Sequence, residues 1–94
     1  MNTLDQLETD HFQEIITLMG REFDSHDFVI ALENRYKVLY DQAIRETNGT
    51  DQLMQLNMQI GRRLLNRDDI TKIGTRISTN NRDKKSETSL WRKK

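Results

Sequence analysis

The stretch ITKIGTRISTNNRDKKSETSLWR, residues 70–92, is where the period of the chain changes. Ile73, Thr75 and Ile77 alternate with Gly74, Arg76 and Ser78. A period of two carried by β-branched residues is strand patterning. Ser78 to Glu87 is polar and turn-rich, and Thr88-Ser89-Leu90-Trp91-Arg92 returns as a second apolar-polar segment. The spacing predicts a β-hairpin with strands over 70–79 and 88–92 and a long basic tip. Its alternative is a disordered basic tail beyond residue 79.

Upstream of this stretch the period is helical. Phe12, Ile15, Ile16, Met19 and Phe23 recur at three- and four-residue spacing, which predicts a first helix over 4–22. Thr3 is its expected cap, with Gln6 as capping-box partner, and Asp5, Glu8 and Asp10 favour its N-terminal half. A break follows at Phe23-Asp24-Ser25. With Asp24 as N-cap, Phe23 and Phe28 take the two positions of a hydrophobic staple. A second helix is expected over 26–46, with Val29, Leu32, Tyr36, Leu39 and Ala43 as its stripe and Phe28, Val38, Tyr40 and Ile44 widening it. Thr47-Asn48-Gly49 stops it. Thr50 then caps a third helix over 51–66, whose core stripe is Leu53, Leu56, Ile60 and Leu64, flanked by Met54, Met58 and Leu65. Gly61 inside this helix predicts close approach of a neighbouring helix.

The resulting fold class is α+β and mainly helical: a three-helix core and a C-terminal β-hairpin, within one domain spanning 1–94. Only 34% of residues are apolar against 32% charged, so the core is small and the surface heavily solvated. The chain has no cysteine, which rules out a disulfide framework or a thiolate metal site. No apolar run approaches the roughly 20 residues of a membrane span, and the first residues carry no signal-peptide pattern. The expected location is the cytoplasm, with no membrane partner.

A net charge of zero conceals a split. Residues 1–61 hold four basic and eleven acidic residues, net −7, and residues 62–94 hold eleven basic and four acidic, net +7. Such asymmetry points to nucleic acid, a membrane surface or an acidic partner, or else to attraction between the halves within the fold or across a dimer.

Enzymatic motifs are missing: no phosphate loop, nucleophile elbow or histidine pair at metal spacing, and no cofactor signature. Ser25-His26-Asp27 has the composition of a catalytic triad, but consecutive helical residues point in different directions. Asp68-Asp69 reads as turn chemistry rather than as a metal site. No enzyme is expected.

The third helix is more informative. Away from its apolar stripe it carries Gln52, Gln55, Asn57, Gln59, Arg62, Arg63 and Asn66, with no acid between Gln52 and Arg67. These are side chains that read base edges and hold phosphates. The expected nucleic-acid-binding residues are Gln55, Gln59, Arg62 and Arg63 on this helix and Lys72, Arg76, Arg82, Lys84 and Lys85 on the hairpin, with DNA favoured over RNA. Trp91 is expected to pack the last strand against the helices.

In element order, residues 24–92 resemble the winged-helix form of the helix-turn-helix DNA-binding fold. The resemblance implies that the third helix enters the major groove, with Gln55, Gln59, Arg62 and Arg63 toward DNA. It places Arg82, Lys84 and Lys85 on the wing against the backbone. The sequence departs from that family in its longer second helix and in showing no strand signal between the first two helices. The alternative reading is a protein-interaction module or homodimer, in which the acidic helices meet the basic hairpin.

Overall fold

The computed structural model describes residues 2–94. The order is α1 (Thr3–Asp10), α2 (Phe12–Leu18), β1 (Glu22–Asp24), α3 (Ser25–Arg35), α4 (Lys37–Glu46), α5 (Gln52–Leu65), β2 (Ile70–Thr79) and β3 (Lys85–Lys93). Strands pair antiparallel in the order β1-β3-β2. The α+β class stands, with five helices where three were expected and a third strand beside the hairpin.

The first predicted helix is two. The backbone leaves the helical region at His11 (φ −132°), separating α1 from α2, and α2 ends at Leu18 rather than 22. Asn2, not Thr3, is the N-cap, and Asp5 rather than Gln6 completes its capping box: the Asn2 Oδ1 accepts from the Asp5 amide at 2.8 Å. Thr3 is drawn elsewhere, donating its hydroxyl at 2.6 Å and its amide at 2.9 Å to the Glu46 carboxylate on α4. Residues 22–24, expected as helix end and break, form β1 against β3, with Phe23 opposite Trp91.

The second predicted helix also divides, at Tyr36 (φ −130°, ψ 50°), into α3 and α4. The two breaks meet in space: the His11 and Tyr36 rings stack with centroids 3.9 Å apart. Asp24 caps α3 as expected, accepting from the Asp27 amide at 2.7 Å. The staple forms, with Phe23 and Phe28 both buried and 6.4 Å apart. The break at Tyr36 shifts the helical phase of α4. Tyr40 is buried in place of Leu39, which is half-buried, and Val38 is 76% exposed.

α5 begins under Asp51, not Thr50, and buries Leu56, Ile60 and Leu64. With Phe12, Ile15, Leu32 and Trp91 these belong to one apolar cluster shared by the helices and the sheet. Gly61 does not mediate a helix contact: a Cβ there would meet nothing within 4 Å.

The hairpin forms and excludes the tail alternative. Its second strand starts at Lys85 rather than 88, so the tip shrinks to residues 80–84. Asn80 closes that turn by accepting from the Arg82 and Lys84 amides, and Asp83 takes the left-handed conformation (φ 60°). A bulge between Lys72 and Gly74 shifts the register by one residue, with Gly74 at φ 154°, a conformation natural to glycine. Trp91 is buried as expected and donates its indole N–H to Ser25 at 2.9 Å. No helix among the described residues is long and apolar enough to cross a membrane.

Candidate nucleic-acid interface

The hairpin does not project freely. It folds back along the helices, fastened at four levels. Past the middle of β2 the Arg76 guanidinium donates to Asp24 at 2.7 Å and to Asp27 at 2.8 Å. Above this, the His26 ring reaches both strands, 2.9 Å from Ser78 Oγ and 3.4 Å from Ser86 Oγ. Near the tip, Asn81 Nδ2 donates to the Tyr40 hydroxyl at 2.9 Å, Tyr40 donates to Asn57 at 2.5 Å, and Asn57 donates back to Asn81 at 3.1 Å. At the tip itself Arg82 pairs with Asp51, the cap of α5. Ser25, His26 and Asp27, the triad-like run, therefore turn to different groups: Ser25 to Trp91, His26 to Ser78 and Ser86, and Asp27 to Arg76.

These fastenings have electrostatic consequences. Asp24 is fully buried. Burial opposes its ionisation, but the Asp27 amide, the Arg76 guanidinium and the Ser78 hydroxyl outweigh it, and its pKa lies below the ordinary carboxylate value. The hydrogen bond from Arg82 likewise holds the Asp51 carboxyl low. Burial pushes the Tyr40 phenol up to about 12, against its hydrogen bonds to Asn81 and Asn57.

Between α5 and the hairpin runs an open groove of about 660 Å³. Its α5 wall includes Met54, Met58 and Leu65, which are 47%, 46% and 60% exposed rather than flanking the core as expected. Gly61 lies in the same wall, and its missing side chain leaves the groove open. Arg62, Lys72, Lys84 and Lys85 line it, coming from α5, β2, the tip and β3. All four are exposed and form no ion pair within 4.0 Å among the described residues. Glu87 is the one acid in the described lining.

The nine residues expected from sequence thus separate. Arg62, Lys72, Lys84 and Lys85 converge on the groove. Gln55 lies on the solvent side of α5, half-buried, with no side-chain hydrogen bond among the described residues. The other four are taken up by contacts within the fold, Arg82 while still lining the groove. Arg63 turns to α1, 2.5 Å from Asp5 and 2.9 Å from Glu8. Gln59 faces the same side, lining a small polar cavity of about 250 Å³ with Asn2, Leu4 and Glu46. Arg76 and Arg82 are spent on Asp24, Asp27 and Asp51. Outside the groove, Arg67 and Arg92 pair with Asp69 and Glu22.

Sequence reading missed Met54, Met58 and Leu65 as surface. The signal was present in the helical phase: each lies well off the Leu56, Ile60 and Leu64 direction. Among the described residues, no group of three or more metal-ligating side chains is assembled. No protein-family model, curated protein or solved structure matches the chain.

Proposed function

We propose that this chain binds nucleic acid, duplex DNA in the first instance, through α5 and the docked hairpin. The observation that carries the reading is the set of cations along the groove. The fold pairs Arg63, Arg67, Arg76, Arg82 and Arg92 with its own acids. Of the basic side chains that form no ion pair among the described residues, Arg62, Lys72, Lys84 and Lys85 line one groove, while Arg21, Arg45, Lys93 and Lys94 lie outside it. Exposed cations lining one groove raise the local potential and attract a polyanion. Element order supports the winged-helix comparison further. β1 supplies a strand ahead of α3, and the break at Tyr36 divides the long helix that departed from that family.

The test is a salt titration of binding to a duplex of arbitrary sequence. Affinity should fall steeply with salt, and replacing Arg62, Lys72, Lys84 and Lys85 by alanine should reduce the slope by about 0.9 for each phosphate no longer neutralised. Arg63→Ala and Arg82→Ala, which remove ion-paired cations, should leave the slope unchanged. No binding even at low salt, or equal slopes for all variants, overturns the reading.

A second reading, contact with a protein or a second copy of the chain, is favoured by the exposed Met54, Met58 and Leu65. Under it the quadruple variant retains its partner, while Met58→Asp releases it in sedimentation.

A further inference from the structure

The side of α5 turned away from the core carries Gln55, Met58, Arg62 and Leu65. Their 3-4-3 spacing places them on one face, and the buried Leu56, Ile60 and Leu64 hold the opposite one. Met58 and Leu65 are 46% and 60% exposed, and Arg62 lies between them without an ion pair. The fold gains nothing from two exposed apolar side chains beside an unpaired guanidinium. The stripe runs along a helix of 14 residues, and its neighbours across the groove are Lys72, Lys84 and Lys85. An apolar stripe alone would suit a protein. Unpaired cations alone would suit any polyanion. Together they fit a polyanion that also offers methyl groups and paired acceptors, and the major groove of DNA offers both.

We propose that this stripe reads bases, with Arg62 selecting a guanine and Met58 and Leu65 selecting thymines on either side of it. The inference rests on the nucleic-acid reading above and names its sequence preference. The guanidinium donates two parallel N–H bonds to guanine O6 and N7, and the thioether and isobutyl groups cover thymine C5-methyls. Met58 and Leu65 stand about 6 Å and 4.5 Å from Arg62 along the helix axis, at about 1.5 Å per residue. With bases stacked about 3.4 Å apart, the thymines lie within one or two steps of the guanine. Gln55, one turn before Met58, is placed for an adjacent adenine. Gln59 and Arg63 take no part, because they face α1.

The experiment selects duplexes from a randomised pool with the full chain, then measures affinity for the selected duplex and for the same duplex with deoxyuridine in place of thymine. The expected sites contain a guanine within two steps of a thymine. Removal of each methyl that the stripe covers should weaken binding about fourfold, the worth of one buried methyl group. That penalty should vanish in the Met58→Ala, Leu65→Ala double variant. Arg62→Ala should lower discrimination against guanine replacement by about 5- to 150-fold. Trp91 fluorescence verifies that each variant is folded. DNA binding with no guanine–thymine preference, or a uracil penalty that persists in the double variant, overturns the inference and leaves the proposed function standing. Absence of DNA binding overturns both. A dimer in sedimentation that the double variant dissociates, with DNA affinity unaltered, makes the stripe a protein contact and also overturns it.

Discussion

Replacing Asp24 by alanine removes a side chain that ties three parts of the fold together. Asp24 ends β1, caps α3 and receives Arg76 from β2, and it is fully buried. Loss of the cap costs about 1 kcal/mol. The charge-assisted bond to Arg76 contributes about 1.5 kcal/mol, the low end for such bonds, because the Arg76 side chain is 45% exposed. The expected destabilisation is about 2.5 kcal/mol, or roughly 10–20 °C in Tm for a domain of this size. Asp24→Asn retains an acceptor for the Asp27 amide and should lose only about 1.5 kcal/mol. Urea and thermal melts followed by Trp91 fluorescence and circular dichroism measure both, since Trp91 bonds to Ser25 beside the cap. The pH dependence adds a second check. The folded pKa of Asp24 is depressed, so its contribution is complete above the unfolded value of about 3.9 and is lost as pH falls through the folded pKa. The advantage of the wild type over Asp24→Asn should therefore disappear in acid. A change within about 0.5 kcal/mol for Asp24→Ala, as surface substitutions give, or equal losses for the two variants, would refute the reasoning.

Ile60→Ala and Leu64→Ala, both at fully buried positions of α5, should each cost about 2–5 kcal/mol in urea unfolding. Gly61→Ala should instead stabilise by about 0.5–1 kcal/mol, since the added methyl meets open space. In hydrogen exchange, Leu90 to Arg92 of β3 should be the slowest strand residues because they are paired on both sides, while amides of β2 that face away from β3 exchange quickly. In an alkaline absorbance titration Tyr40 should ionise only near pH 12. Stability should fall as pH rises from about 10, where the unfolded phenol ionises, because the folded state resists that ionisation until its own value is reached.

Local chemistry decided what the sequence alone made legible. The switch from a period of 3.6 to a period of 2 near Ile70 determined the hairpin. Asp24 and the Phe23–Phe28 pair determined the start of α3, and Leu56, Ile60 and Leu64 determined the buried face of α5. Each is a signal carried within one or two turns, where side-chain spacing and backbone hydrogen bonding are coupled directly. What only the tertiary structure decided depends on residues far apart in the chain. No glycine or proline marks the breaks at His11 and Tyr36, where two rings stack. β1 is three residues long and exists because β3 offers it an edge. The functional surface was settled in the same way. The sequence supplied eleven cations after residue 61 but not their partners. Folding brought Asp5 to Arg63, Asp24 to Arg76 and Asp51 to Arg82, and left Arg62, Lys72, Lys84 and Lys85 along one groove without an ion pair among the described residues. A charge's availability is set by what lies within a few ångströms of it, and that distance is fixed by the packing of whole elements.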